Sequence, residues 1–199
     1  MTRDLWLRSR RACALGALAV LSGIGTGLAW PGAHVAGAAT IEDAGRVEIL
    51  FRPGDPVDER IVAAIRAARR QVHVLTFTFT HRGIARALVD AQRRGVEVAV
   101  VADQAQALEV PHNALALLKA GGVRVALDAG PGSAHNKVIV IDPTGPQSVT
   151  ITGSFNFTVA AQARNAENVV IFHGNREIAQ LYEHYFAQRR AAATAFYSE

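Results

Sequence analysis

The amino-acid sequence predicts an α/β fold in which a mixed, mostly parallel β-sheet is flanked by helices on both faces of a single domain. Runs of β-branched and aromatic residues alternate with amphipathic segments between residues 46 and 195, a pattern typical of parallel strands joined by crossover helices. Two consecutive runs, KVIVID and SVTITG, are separated only by PTGPQ, whose prolines and glycine predict a turn. The turn adds an antiparallel hairpin, so the predicted sheet is mixed.

The individual elements follow from the spacing of apolar residues. Strands rich in β-branched residues are predicted at 46–51, 71–79, 96–103, 123–127, 137–142, 148–153 and 167–172. Helices with apolar residues at intervals of three and four are predicted at 55–70, 82–95, 113–122, 156–165 and 175–195. Gly95 ends the second helix, and Gly121 with Gly122 ends the third, because glycine readily terminates a helix. The strand at 71–79 includes alternating Phe and Thr residues, which we interpret as one buried face rather than a base-stacking platform. Thr78 and Thr80 are the residues expected to reach toward a site.

The first 38 residues are interpreted as a cleaved signal peptide. A basic start precedes an apolar stretch rich in Gly and Ala, and AGA at 36–38 offers the small-x-small pattern of a cleavage site. The alternative is a membrane anchor, since 12–30 is nearly long enough to span a bilayer. The preferred interpretation predicts a periplasmic or secreted protein with no stable membrane anchor, a flexible lead at 39–45 and one domain at 46–195.

Removal of the signal leaves a chain that is close to neutral and lacks cysteine. The segment takes with it four arginines, one aspartate and Cys13, the chain's single cysteine. Disulfides and thiol chemistry are thereby excluded, and any attraction to a polyanion must come from local clustering of cations. No H-E-x-x-H pattern or D-x-D cluster is present, so no metal and no cofactor are predicted.

One stretch, HNKVIVID, places a histidine beside one of the chain's two lysines. His135 and Lys137 are two positions apart at the start of a strand and therefore project from the same face. A neutral imidazole is a competent nucleophile at physiological pH. A neighbouring ammonium can stabilise charge that develops on phosphate oxygens. The pair suits phosphodiester chemistry.

Further polar groups are expected across the hairpin from this pair. TGSFNFT places Gly153, Ser154 and Asn156 where a strand runs into a helix, and amides at a helix N-terminus favour an anion. Glu167 opens the next strand. Its carboxylate is expected to accept a hydrogen bond from the second ring nitrogen of His135 and so to fix the imidazole tautomer.

These motifs together resemble the phospholipase D superfamily. His135, Lys137 and Asp142 meet its H-x-K-x4-D pattern, and G-S-x-N follows at 153–156. From ILFRPGD to NVVIF the chain is similar to the superfamily's small bacterial nuclease branch, which carries one such motif per chain. The resemblance implies a metal-independent phosphodiesterase that forms a phosphohistidine intermediate.

The resemblance also implies a role for each candidate. His135 would be the nucleophile, and Glu167 would be its partner. The phosphate would be held by Lys137, Gly153, Ser154 and Asn156. Asp142 is the aspartate of the H-x-K-x4-D motif and is retained as a catalytic candidate. The alternative is a purely structural hydrogen-bonding role.

The spacing within the motif departs from the family in one place. Ten residues separate Asp142 from Gly153, where the family usually has six. The additional residues fall in the predicted turn, 143–148, where lengthening costs little. We expect the site to remain intact, with a possible effect on substrate access.

A single H-x-K motif predicts a homodimer. In-line displacement at phosphorus needs a nucleophile on one side and a proton donor on the other. One histidine cannot occupy both sides, whereas a two-fold dimer brings two copies of His135 together.

The predicted function is a non-specific endonuclease that hydrolyses DNA, or RNA, because such a site binds phosphate rather than base edges. The first alternative is a phospholipid hydrolase of the phospholipase D type. The second is a non-catalytic nucleic-acid-binding module.

Overall fold

The structure, a computed structural model, describes residues 39–130 and 132–196, and the predicted signal peptide lies outside these residues. The strands are β1 (Arg46–Arg52), β2 (Gln71–Thr76), β3 (Glu97–Asp103), β4 (Arg124–Asp128), β5 (Lys137–Ile141), β6 (Val149–Gly153), β7 (Glu167–His173) and β8 (Thr194–Ala195). The helices are α1 (Val57–Ala67), α2 (Arg82–Arg93), α3 (Gln104–Glu109), α4 (Leu115–Ala120), α5 (Val159–Ala163) and α6 (Arg176–Ala192).

The strands form one mixed sheet in the order β1-β7-β6-β5-β2-β3-β4-β8. The α/β class and the mixed sheet are confirmed, but the prediction of a mostly parallel sheet is wrong. Within the described residues only β2–β3 and β3–β4 pair in parallel, and the other five pairings are antiparallel. The reason lies in the connections. Crossover helices join strands that are neighbours in the sheet only between β2 and β4. Helix α1 leads from β1 to β2, which are not neighbours, and β5, β6 and β7 follow one another back and forth.

The hydrophobic core occupies both faces of the sheet. On one face, α1, α2 and α4 cover the central strands, with Ile61, Leu88 and Leu118 completely buried. On the other, α6 packs against β2–β6 and buries Phe186 against Val101 and Val138. Central strands that are buried on both faces are nearly continuous apolar runs, which is why they stand out in the sequence.

Three local features differ from the sequence prediction. Helix α3 was not predicted, and α5 is shorter than 156–165 because Thr158 caps it by accepting a hydrogen bond from Ala161 N at 3.1 Å. The terminal helix ends at Ala192 rather than 195, since Thr194 and Ala195 pair with β4 as a short strand. No helix in the described part of the chain is both long and apolar enough to cross a membrane.

The sheet has two ends that are chemically different. The site end comprises the carboxyl ends of β2 and β3, the start of β5, the end of β6 and the start of β7. The turn end carries the β5–β6 turn, 142–148. In open α/β sheets, ligands bind beyond the carboxyl ends of the parallel strands, which here is the site end.

Candidate active site

Most of the predicted site residues meet at the site end. His135 directly precedes β5, and Lys137 is its first residue. Gly153 ends β6 and Glu167 begins β7. Because β5, β6 and β7 are neighbours in the sheet, these strand ends lie side by side. Ser154 and Asn156 follow in the segment that leads to α5, and Asp142 lies elsewhere.

His135 and Lys137 are in direct contact. The imidazole is exposed, whereas Lys137 is only 7% exposed. The ammonium nitrogen Nζ lies 3.0 Å from each ring nitrogen of His135 and 3.3 Å from the His135 carbonyl oxygen. A neutral imidazole has only one bare nitrogen, so the ammonium donates to one ring nitrogen at a time. The prediction that the two groups share one small volume is confirmed.

The electrostatic setting of Lys137 favours an anionic ligand. Burial lowers the pKa of Lys137 from its ordinary value, and the negative charge of Glu167 partly opposes that shift. Among the described residues no carboxylate lies within ion-pair distance of the ammonium. A desolvated cation without a carboxylate partner gains most from an ionised oxygen ligand.

The backbone on both sides of His135 is anchored. Asp103, 2% exposed at the end of β3, accepts hydrogen bonds from Ala134 N at 2.7 Å and Gln106 N at 2.9 Å. Asn136 O accepts from Phe77 N at 2.8 Å. Sequence reasoning missed the role of Asp103. The available signal was an aspartate at the carboxyl end of a buried strand.

Glu167 belongs to a network that differs from the prediction. Its carboxylate accepts hydrogen bonds from Ser154 Oγ at 2.5 Å and Asn165 Nδ2 at 2.9 Å. Ser154 Oγ in turn accepts from Asn168 N at 3.0 Å. The expected hydrogen bond from His135 to Glu167 of the same chain is absent from the described residues, because Ser154 and Asn165 already direct the carboxylate oxygens.

Gly153 and Asn156 shape the predicted phosphate cradle. A Cβ atom on Gly153 would lie 2.2 Å from Asn168 O, so the close approach of β6 and β7 requires glycine. The Asn156 Oδ1 atom is buried and has no hydrogen-bond partner within the described residues. Helix α5 begins only at Val159, so the cradle consists mainly of side chains rather than of helix N-terminal amides.

Phe77 is a site residue that the sequence analysis missed. Its ring centroid lies 4.3 Å from that of His135 and 4.9 Å from the Lys137 ammonium. Thr78, predicted to reach the site, instead donates from Oγ1 to Gln106 Oε1 at 2.6 Å. The alternation of Phe and Thr was the available signal, but it did not show which phenylalanine faces the site.

Asp142 is separated from the other candidates by the length of β5. Five strand residues span about 17 Å, so the carboxylate lies at the turn end. Its oxygens accept hydrogen bonds from the backbone N–H groups of Arg69, Arg70 and Gln71 at 2.8–2.9 Å. This geometry fits the structural alternative and does not fit the catalytic assignment.

The site end of the sheet thus combines an exposed imidazole, a buried cation, a hydroxyl and a carboxamide. The described residues contain no group of three or more His, Cys, Asp or Glu side chains placed to hold a metal ion. The chemistry available to the chain's own groups is nucleophilic attack by imidazole with charge stabilisation by Lys137.

Comparison with known proteins agrees with this chemistry. The family model described as "Cardiolipin synthase, PLD-like domain" matches residues 61–190. A phospholipase D of Rickettsia bellii is 37% identical over 146 residues, covering 73% of this chain and 70% of that protein. A mitochondrial cardiolipin hydrolase of Xenopus laevis is 35% identical over 117 residues, covering 59% of this chain and 53% of that protein.

A solved structure shows the same fold. Nuc from Salmonella typhimurium, a phospholipase D family member, superposes with a TM-score of 0.70 at 27% sequence identity, covering 77% of this chain and 99% of that chain. The chain belongs to the phospholipase D superfamily, in the branch of small phosphodiesterases that carry one H-x-K motif.

Proposed function

We propose that this phosphodiesterase is a metal-independent endonuclease that cleaves DNA or RNA with little sequence preference. The observation that carries the proposal is the buried Lys137 ammonium, which contacts an exposed histidine and has no carboxylate within ion-pair distance among residues 39–130 and 132–196. That arrangement offers a nucleophile and a cation to a phosphodiester without requiring any contact to a base.

The reaction proceeds in two displacements at phosphorus. A ring nitrogen of His135 attacks, a P–N bond forms, and the P–O bond to the leaving oxygen breaks while that oxygen takes a proton. Water then attacks the phosphohistidine, the P–N bond breaks, and the water proton passes to a base. Lys137, Ser154 and Asn156 bind the non-bridging oxygens in both steps, where negative charge accumulates.

The proton donor in this scheme is His135 of a second chain. The general acid must act from the side opposite the nucleophile, and the chain has one H-x-K motif. A homodimer supplies this second histidine.

An exposed apolar stripe on β1 supports self-association. Val47, Ile49 and Phe51 are 38%, 56% and 60% exposed, and their spacing places them on one face of this edge strand. The stripe reaches the site end, where Phe51 pairs with Asn168, the residue that hydrogen-bonds Ser154. A second copy seated there would bring two sites close together.

Phospholipid hydrolysis is the second candidate. It is favoured by the relatives named phospholipase D and cardiolipin hydrolase and by two exposed apolar residues near the site end, Phe51 and Val159. Nucleic acid is preferred because exposed side chains at the site end, including Ser133, Ser154 and Asn165, are polar. A lipid chain would gain little from such a rim.

The substrate class is tested by incubating residues 39–199 with plasmid DNA, with RNA and with phosphatidylcholine or cardiolipin vesicles, all in EDTA. We expect cleavage of nucleic acid that survives chelation and that is abolished in the matched variant His135→Asn. Hydrolysis of lipid alone would establish the second candidate. Salt-dependent DNA binding without hydrolysis would indicate a binding module, and loss of cleavage in EDTA would contradict metal independence.

The dimer is tested by sedimentation velocity together with activity. We expect a wild-type dimer, and a monomeric, inactive Ile49→Glu variant, because a charge in the stripe would oppose burial of that surface. Leu108→Glu is the matched control, since Leu108 is 67% exposed on α3, away from the stripe. If the wild type were active as a monomer, the proposal that the active form is a dimer would be wrong. If Ile49→Glu were still an active dimer, only the assignment of the β1 stripe as the interface would be wrong.

A further inference from the structure

Phe77 is the one aromatic side chain of the described residues that touches both His135 and Lys137. The Phe77 ring and the imidazole are tilted by 60° to each other at a centroid distance of 4.3 Å, so the two rings are in direct contact. The ammonium lies 4.9 Å from the same ring centroid, within the range of a cation–π interaction.

The sheet fixes the position of this ring. Thr76, the last residue of β2, pairs with Lys137, and Phe77 N donates to Asn136 O at 2.8 Å. Phe79, two residues later, is buried in the core at 3% exposure and stacks edge-on with Phe157 at 5.6 Å. The backbone of Phe77 is therefore held between a paired strand end and a core anchor.

The contact has a consequence for substrate binding. Before a phosphate enters, the ammonium donates to the imidazole and occupies a lone pair that nucleophilic attack needs. An entering phosphate oxygen accepts the hydrogen bond from the Lys137 ammonium instead, which frees the imidazole nitrogen for attack. The phenyl ring offers no hydrogen bond of its own, so it can hold both groups during this exchange without competing with the phosphate.

We infer that Phe77 is a positioning residue, whose ring holds the His135 imidazole and the Lys137 ammonium in the arrangement that receives a phosphodiester. The inference rests on the proposed function. It assigns no chemical step to Phe77, which acts through the two groups that it contacts. A leucine at this position fills similar space but lacks the π face and the flat wall against the imidazole.

The test compares three variants by kcat, KM and pH profile. For Phe77→Leu we expect kcat to fall about 10- to 100-fold, the scale of a misplaced reacting group, with little change in KM. Its alkaline limb should move to lower pH, because loss of the π face destabilises the protonated lysine and lowers its pKa further. Phe77→Tyr keeps the ring and should retain most of the activity.

Phe196→Leu is the matched control. Phe196 is also half-buried and has a lysine ammonium, that of Lys119, 5.7 Å from its ring centroid, but it lies beside β4, away from the site. We expect its kcat and pH profile to match the wild type. Wild-type kcat and pH profile in Phe77→Leu, or equal losses in Phe77→Leu and Phe196→Leu, would overturn the inference.

A wild-type protein that cleaves no phosphodiester would contradict the proposed function, and NMR would still decide the contact. The Phe77 ring should shift the His135 imidazole resonances through its ring current. Those resonances should move in Phe77→Leu and not in Phe196→Leu. Identical His135 spectra in the wild type and Phe77→Leu would overturn the inference independently of activity.

Discussion

The two ends of the sheet treat charge in opposite ways. At the turn end, the Glu48 carboxylate contacts Arg60 Nη2 at 2.6 Å and His173 Nε2 at 3.2 Å. Burial raises the pKa of Glu48, but these hydrogen bonds outweigh burial and hold it below its ordinary value. At the site end, the pKa of Lys137 is lowered because burial is not offset by a paired carboxylate. Glu48 is thus paired within the chain, whereas the Lys137 ammonium is left for a ligand.

The difference shows why cavity size is a poor guide to the site in this protein. A cleft of about 480 Å³ lies at the turn end, lined by Arg46, Glu48, Arg60 and His173 among others. Its volume is within the usual range for ligand sites. Within it His173 and Arg60 are both held by Glu48, and no lysine ammonium lies among the lining residues to pair with the histidine as Lys137 does with His135. The site that we propose lies instead around an exposed histidine beside a buried lysine.

Among tests of the difference between the two ends of the sheet, Asp142→Asn is expected to have the largest effect on stability. Asparagine tolerates the left-handed backbone of Asp142, whose φ is 47°, but its amide nitrogen cannot accept a hydrogen bond from a backbone N–H. We expect the free energy of unfolding to fall by about 1–3 kcal/mol, the cost of an unsatisfied buried group. Activity per folded molecule should stay at the wild-type level, measured below the onset of unfolding.

His135→Asn is the matched contrast at the other end of the same strand. It should remove activity and leave denaturant unfolding unchanged, because the imidazole is exposed. If Asp142→Asn lost activity while keeping wild-type stability, Asp142 would be catalytic and the division between the two ends would be wrong.

The parts of the fold that local patterns encode were predictable. The β-branched runs at β3 and β5 are buried on both faces, so their strands are evident from sequence alone. Strand direction was not, because the apolar pattern of a buried strand does not depend on whether its neighbour is parallel. The short strand β8 was also missed, since Thr194 and Ala195 continue a helical pattern and pair only through tertiary contact with β4.

Site prediction succeeded where residues are close in sequence. His135 and Lys137 are related by the two-residue strand period, and their contact followed from it. The Glu167 network was not foreseen because Ser154 and Asn165 compete for the carboxylate in three dimensions. Phe77 and Asp103 were missed because they reach the His135 segment from other strands, Phe77 from the end of β2 and Asp103 from the end of β3.

The smallest expected effect is that of shortening the turn. Deleting residues 144–147 restores six residues between Asp142 and Gly153 and removes part of the wall of the turn-end cleft. Because β5 separates the turn from His135 by about 17 Å, kcat and KM should stay within about twofold of the wild-type values on plasmid and on a short duplex. The shorter loop should change the free energy of unfolding by only about 0.6 kcal/mol. Gly153→Ala, a single added methyl at the site end of the same hairpin, should cost far more activity because it collides with Asn168 O. A KM that rises for plasmid but not for the short duplex would show that the turn contacts long substrates. Both ends of the sheet would then bind substrate.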